Sequence, residues 1–412
     1  MVLVKIAAAE QSPRVANQQG VVVIREYDEG RDKVAVEELE RRCEVGGSLR
    51  GRPSLVTDLM GDPICRVRHF PTHIMLVAEY GEEKDIVGAV RGCVKNATRG
   101  SSLYAKLAYI LGLRVSPTHR RLGIGTKLVK RLEEWCKENG AEYAYMATDC
   151  TNEPSINLFT KRCDYTKFRT PTMLVQPVHA HSKSIPSDVA IIQVPPKLAE
   201  SIYRQIFANS EFFPKDIDDI LASNLNLGTF MAVPKKSLPK WDPRETFLPP
   251  SFAILSVWNT KEVFKLQVTG VSALTYACCV GSRVLDAWMP WLRLPSFPDV
   301  FRQFGVYFMY GLHMEGKQGV RLMRSLCTFA YNKARDDGGC GAVVAEVGQR
   351  DPVREAIPHW TKFSLAEDLW CIKKLADVKQ GGGESETERH EPSNWLNSRS
   401  SSPVIFVDPR DF

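Results

Sequence analysis

The chain has 412 residues, 44% of them hydrophobic and 25% charged, with a net charge of +6 and a pI of about 8.7. That length suits two or three domains, and the composition is that of a soluble globular protein whose cores need no disulfides. The mild basic excess fits a polyanionic cofactor or a nuclear setting, but no Lys/Arg run is dense enough to mark a nucleic-acid binder. The 11 cysteines are odd in number and form no Cys-x-x-Cys pair. Met1 to Glu10 lacks the apolar core of a signal peptide, and no apolar run approaches a membrane span. An intracellular, reducing location is expected, with most cysteines as small core residues.

Val21 to Ile24 reads as a strand, and Val34, Val36, Leu39 and Cys43 among charges read as a helix. His73 to Tyr80 and Asp85 to Val94 read as strands joined by a turn at Gly81. Leu107 to Val115 is the next strand. The spacing of Gly125, Leu128, Val129, Leu132, Trp135 and Cys136 then predicts an amphipathic helix, stopped by Asn139-Gly140. Tyr143 to Thr148 is another strand, and Asn152 opens a short helix ending near Arg162. This order implies an α/β fold, a mixed sheet with a parallel crossover.

His179 to Asp188 reads as a linker, after which the pattern recurs. Gly228 to Val233 and Ser251 to Trp258 resemble the early strands, and Phe308 to Leu312 parallels Tyr109 to Leu113. A helix carrying Met323, Leu326, Cys327, Ala330 and Ala334 ends at Gly338-Gly339. Ala342 to Val347 then matches Tyr143 to Thr148, and Asp351 to Trp360 matches the short last helix. The expected organisation is a flexible N-terminus over 1–20, one domain over 21–178, a linker over 179–188 and a related domain over 189–378. A mobile linker follows over 379–403, rich in Gly, Ser and Glu, and a closing strand over 404–412.

The sharpest motif is Arg120-Arg121-Leu122-Gly123-Ile124-Gly125-Thr126, placed after a strand at the start of a helix. A helix start presents unpaired N–H groups and partial positive charge. Glycines there let a pyrophosphate approach the backbone, and two arginines add charge-assisted bonds, making a diphosphate cradle that needs no metal. A lone Gly-x-Gly is also compatible with a plain tight turn.

Arg-x-x-Gly-x-Gly after a strand ending in Val115 resembles the acyl-CoA motif of the GNAT superfamily, and Asn152 to Phe159 resembles its final helix. Arg41 to Val45, Asp58 to Arg66, Arg114 to Pro117 and the ending Phe406 to Phe412 resemble the plant HOOKLESS-type N-acetyltransferases along nearly the whole chain. The resemblance implies a tandem of two GNAT-like halves and transfer of an acetyl group from acetyl-CoA to an amine. It implies a protein acceptor, a histone lysine among the candidates, and a nuclear role in plant growth regulation, the cytoplasm being second choice. The strand Leu113-Arg114-Val115 would splay from its neighbour and pair with the cofactor's pantetheine arm. The loop from Arg120 to Thr126, with Asn152 and Phe159, would complete the cofactor site.

Two departures bear on catalysis. The family's thiolate-protonating tyrosine falls at Phe159, which has no proton to give. The acidic base that some members carry falls at Tyr109, a poor base at an ordinary tyrosine pKa near 10. Asp149 and Glu79 are alternative bases, although Tyr109 also reads as a packed aromatic, Asp149 and Asn152 as capping residues and Glu79 as a strand end. These departures leave open a catalytically inactive scaffold.

In the second half, Gly311 to Gln318 approaches a P-loop but lacks the Ser or Thr that holds magnesium. It reads better as a degraded counterpart of the first loop, with acyl-CoA binding lost. His179-Ala180-His181 is a poor metal site, and Cys278-Cys279 reads as part of a core strand.

Overall fold

The computed structural model describes residues 21–43, 54–100, 102–240, 248–293, 296, 298–361, 364, 368–375, 395 and 404–412. The expectations for 1–20 and for nearly all of 379–403 lie outside these residues.

The first half runs β1 (Val22–Glu26), α1 (Glu29–Arg42), β2 (Ser54–Asp58), β3 (Thr72–Tyr80), β4 (Asp85–Arg99), β5 (Tyr104–Val115), α2 (Ile124–Glu138), β6 (Tyr143–Asp149), α3 (Glu153–Arg162), β7 (Thr166–Arg169) and β8 (Thr172–Pro177). The second runs β9 (Val189–Val194), α4 (Pro196–Ile206), β10 (Glu211–Pro214), α5 (Ile217–Ala222), β11 (Asn226–Pro234), β12 (Phe252–Asn259), β13 (Lys265–Thr269), α6 (Ala273–Trp288), β14 (Gly305–Glu315), α7 (Gly319–Asp336), β15 (Cys340–Val347) and β16 (Asp368–Lys374).

Each half builds one mixed sheet; the first lends β8 to the second sheet, and the second lends β10 and β16 to the first. The first sheet runs β1-β3-β4-β5-β6-β16-β7, with β10 against β4; the second runs β8-β15-β14-β12-β11-β9. β16, from past residue 360, pairs with β6 from Asp368↔Asp149 to Lys374↔Tyr143. β8, from before residue 178, pairs with β15. The exchange thus crosses the boundary expected at 178. The pairing of β10 with β4 and a small sheet of β2 and β13 tie the halves a third and a fourth time.

Alternation along the strands sorts side chains to two faces. On the outer face of the first sheet, Ala108, Ile110, Ala144 and Met146 meet Ile124, Leu128, Leu132 and Cys136 of α2 and Phe159 of α3. On the outer face of the second, Met309 and Val343 meet Leu322, Leu326 and Ala330 of α7. The inner faces share one core: Tyr109, Tyr145 and Trp370 from one sheet, Phe308, Tyr310 and Val344 from the other, α4 and α5, and Ile405 to Val407 of the C-terminal tail.

Three expectations are corrected. Asp351 to Trp360 yields only a 3-10 turn over Pro352–Glu355; Pro358 pushes Ile357 away from helical geometry. Cys278 and Cys279 lie on α6, where Cys278 is exposed; the Ser272 hydroxyl accepts from Thr275 N at 3.1 Å and starts that helix. The tail makes an isolated bridge, Ile405 to Glu211, rather than a closing strand.

Candidate active site

The cradle begins where β5 ends. Ser116 is buried, a 3-10 turn covers Pro117–His119, and Arg121 and Gly123 both adopt positive φ, 66° and 79°. Gly123 is the N-cap of α2 and no side chain caps the helix. Its first backbone bond is Lys127 N to Gly123 O at 3.0 Å, so the N–H groups of Ile124, Gly125 and Thr126 precede the ladder. A Cβ built on Gly123 would meet nothing within 4 Å; the mouth is open. Gly125 differs: a Cβ there would lie 3.3 Å from Leu158 and 3.7 Å from Val115, seating α2 against β5 and α3. Ile124 is buried, Thr126 half-buried and Leu122 half-exposed. Arg120 and Arg121 are exposed at the mouth, and Arg120 Nε reaches Val115 O at 3.4 Å. Uncapped N–H groups, an open glycine and two exposed guanidinium groups fit a diphosphate.

Beside the cradle the sheet opens. β5 and β6 pair in parallel only from Leu107↔Tyr143 to Ile110↔Met146. Beyond Ile110, β5 bulges against β4, where Leu111 to Arg114 oppose Ala89 to Arg91. Gly112, at φ 60°, makes this possible; a Cβ there would lie 2.5 Å from Arg91 Nη1. Arg91 fixes the bulge, donating to Gly112 O at 3.3 Å and to Glu40 Oε1 at 2.8 Å. Arg114 Nε donates to the other Glu40 oxygen at 2.8 Å. Burial alone would raise the Glu40 carboxyl; the two arginines outweigh it and hold it below its ordinary value. Arg114 is thus committed to α1 through its side chain, leaving its backbone, with Leu113 and Val115, to line the slot.

The expected acid–base residues are engaged elsewhere. Tyr109 is buried, its hydroxyl donating to Asp411 O at 3.3 Å and its ring stacked on Tyr145 at 4.8 Å; burial, then Asp411, raises its pKa well beyond the ordinary value. Asp149 accepts from Thr151 N at 2.6 Å and Thr151 Oγ1 at 2.5 Å, closing the turn before α3. Glu79 is bound by Arg25 at 2.6 Å. Asn152 caps α3, accepting from Ser155 N at 3.3 Å. Phe159 packs edge-on against Tyr165 at 5.1 Å in the outer core, with 1% exposure, where it offers the slot no polar atom.

The tail occupies the inner side of this site. Lys95, buried on β4, donates to both Asp411 oxygens at 2.7 Å and to Asp408 at 3.2 Å; Tyr145 donates to Asp411 at 2.7 Å. Arg410 bonds Asp408 and Asp216. On β15, buried Glu346 accepts from Trp370 Nε1 at 3.2 Å. Sequence reasoning missed Glu346, although one carboxylate in the apolar strand Ala342 to Val347 is a signal. Among the described residues no cluster of three metal-ligating side chains occurs, and no helix is long and apolar enough to cross a membrane.

The model of the acetyltransferase (GNAT) family matches residues 34–165, from α1 to just past α3. The chain is 49% identical to "Probable N-acetyltransferase HLS1" of Arabidopsis thaliana, covering 95% of this chain and 100% of that protein. It is 41% identical to "Acetyl transferase GW6a" of Oryza sativa subsp. japonica, covering 95% and 98%. Among solved structures it resembles Saccharomyces cerevisiae N-myristoyltransferase, with a TM-score of 0.51 and 9% identity over 89% of this chain and 81% of that one. The glucosamine N-acetyltransferase region of a fungal beta-N-acetylglucosaminidase gives 0.52 and 13% identity over 87% and 39%. These two likenesses concern the fold. Cradle, bulge, splayed strand and full-length relatives agree: the chain belongs to the GNAT family of acyl-CoA-dependent N-acyltransferases.

Proposed function

We propose that this protein transfers an acetyl group from acetyl-CoA to an amine on a protein, a histone lysine among the candidates, in the nucleus of a plant cell and in growth regulation. The observation that carries the cofactor part is the splay of β5 from β6 beside an open, uncapped helix start. Acetyl as the donor group is supported by the relatives' names. The nuclear and growth-related parts rest on the resemblance to the plant HOOKLESS-type sequences.

The cofactor would supply an activated acyl thioester. Ile124, Gly125 and Thr126 N–H groups, with Arg120 and Arg121, would hold its diphosphate. The freed edge of β5 at Gly112 to Arg114 would pair with its arm, placing the reacting carbonyl where the two strands part. The acceptor then approaches from the inner face, roofed by the second half and the tail.

Calorimetric titration with acetyl-CoA tests this. Binding is expected for the wild type, and Gly123→Asp should weaken it at least 100-fold, since it adds a strained φ and a negative charge at the mouth (~3 kcal/mol). Absence of heat and of a thermal shift in the wild type would refute the cofactor reading. Phe159 favours a second reading, an acyl-CoA-binding scaffold without turnover; a CoA-release assay with lysine peptides separates the two.

A further inference from the structure

Around the bulge of β5 and the end of the tail, buried cations come with carboxylates. Arg91 and Arg114 share Glu40. Lys95 lies between Asp408 and Asp411, and Arg410 between Asp408 and Asp216. Arg66 is the exception, with no ion pair among the described residues. It donates to the carbonyl oxygen of Asp411 at 3.2 Å, while its Nε, shut off from solvent, has no partner. Burial lowers its pKa, and the charges of Arg91 and Arg114 push the same way. A buried guanidinium without a carboxylate is costly until a ligand supplies one.

Arg66 sits on a run of turns between β2 and β3, in which Asp62 N bonds Leu59 O, Cys65 N bonds Asp62 O and Val67 N bonds Ile64 O, each at 3.0 Å. Two bonds fix this run beside the slot. Arg91, which holds Gly112 O at the bulge, also donates through Nε to Pro63 O, three residues before Arg66. The Asp411 carbonyl that accepts from Arg66 accepts from Tyr109 of β5 as well, three residues before Gly112. Arg66 is thus one shared oxygen atom away from β5.

On its other side Arg66 opens into a cleft between the halves, walled by Trp258 and Phe264 of the second half, Arg410 and Phe412 of the tail, and His69. The free space there is about 10 Å³, that of one water, which admits the head of a side chain and no ring. Arg410 is already balanced by its two carboxylates, so the uncompensated charge in the cleft is that of Arg66. A guanidinium fork matches a carboxylate, and the aromatic walls keep water from the pair.

We propose that Arg66 receives a carboxylate of the acceptor, so that the preferred substrate is a protein segment with an Asp or Glu side chain close to the lysine that is acetylated. This rests on the acyltransferase reading. Arg66 touches no reacting atom; it selects the acceptor.

Lysine peptides carrying one Glu at each of the three positions on either side of the lysine, each with a Gln twin, test this on the full chain. Wild-type CoA release from acetyl-CoA should favour at least one Glu peptide over its twin by about tenfold in kcat/KM, the worth of a charge-assisted bond. The gain should lie in KM, with kcat within threefold, because the carboxylate is held equally before and during the reaction. Arg66→Met should bring the Glu peptide to the level of its twin, and leave the twin and calorimetric acetyl-CoA affinity within threefold. Arg66→Lys, which keeps the charge and loses the fork, should retain part of the preference. Melting temperature separates a structural role: removing an unpaired buried charge should leave it unchanged or raise it, whereas a drop with both peptides slowed alike overturns the assignment. Calorimetric binding of the same peptide pairs reads the cleft without turnover. Turnover with every Glu peptide equal to its twin overturns the assignment and spares the acyltransferase reading. A Glu preference in binding that Arg66→Met removes, without CoA release, overturns the acyltransferase reading and keeps the carboxylate site. Neither release nor a binding preference overturns both. Should Arg66→Met fail to fold, Arg66→Lys decides: an undiminished preference overturns the assignment.

Discussion

β5 and β14 run almost the same course. Each pairs in parallel with the next strand and then parts from it, after Ile110 in one and Met309 in the other. Each carries one extra residue against its antiparallel neighbour, at Gly112 and Gly311, both with φ of 60°. The loops leading on to the helices differ. Eight residues, 116–123, separate β5 from α2, whereas three, 316–318, separate β14 from α7. In the short loop a Cβ on Gly316 would lie 2.1 Å from Pro250 O, so that turn is packed against the chain, and Val404 to Val407 lie beside the second parting. Bulge and splay are thus properties of the repeated fold, while an open phosphate site needs the longer loop as well.

The tail sharpens the contrast. At matching positions, three residues before each bulge glycine, Tyr109 bonds Asp411 while Phe308 stacks on Phe412 at 4.7 Å. At these two positions the tail meets the first half through a polar bond and the second through stacked rings, and Arg410 adds an ion pair to Asp216 of the second half. Breaking the charged side should have the largest effect on stability. Lys95→Met leaves Asp411 and Asp408 buried without their ammonium partner, at a cost of about 3–5 kcal/mol. Denaturant unfolding should show it, with partial recovery in Lys95→Met/Asp411→Asn. A loss below about 1 kcal/mol would mean the tail is not fastened there in solution.

Next in size is a loop exchange. Replacing Ser116 to Gly123 with the short Gly316-Lys317-Gln318 turn should remove acetyl-CoA binding by at least about 100-fold (roughly 3 kcal/mol) while the chain stays folded, because α7 shows that a helix can follow the splay directly. Retained affinity would place the phosphate site elsewhere.

Much of this was legible in the sequence for local reasons. The period of Leu128, Leu132 and Cys136 fixes α2, and the two Gly-centred strands, Tyr109 to Leu113 and Phe308 to Leu312, declare the repeat. Arg120 to Thr126 could be read because backbone N–H groups at a helix start and adjacent guanidinium groups act within a few residues of each other. The strand exchange, the seating of the tail and the Trp370–Glu346 bond could not be read so. Each depends on which distant segments meet, as Lys95 meets Asp411; alternation says which face a side chain takes and nothing about its partner there. The partners of Tyr109 and Asp149 could not be read for the same reason: their residue types suit a base, but a tail carbonyl and a local turn hold their polar atoms in this structure.

The smallest expected effect concerns Arg121. A non-glycine residue at φ 66° costs about 1–3 kcal/mol, and the last residue of the short loop, Gln318, bears no such cost at φ −101°. If the long loop tolerates that strain because it aims a guanidinium at the diphosphate, stability and affinity should separate. Arg121→Gly relieves the backbone, offset in part by the entropy glycine gains when unfolded, so stability should be unchanged or higher by about 1 kcal/mol. Acetyl-CoA affinity should nevertheless fall about fivefold, by one exposed charge–charge contact of about 1 kcal/mol, and the deficit should shrink as added salt screens the wild-type contact. Arg121→Ala should bind as weakly while keeping the strain, so the two variants should differ in melting temperature alone. Wild-type affinity in Arg121→Gly would leave the strained residue without a role at the mouth and assign the diphosphate to Arg120 and the helix N–H groups.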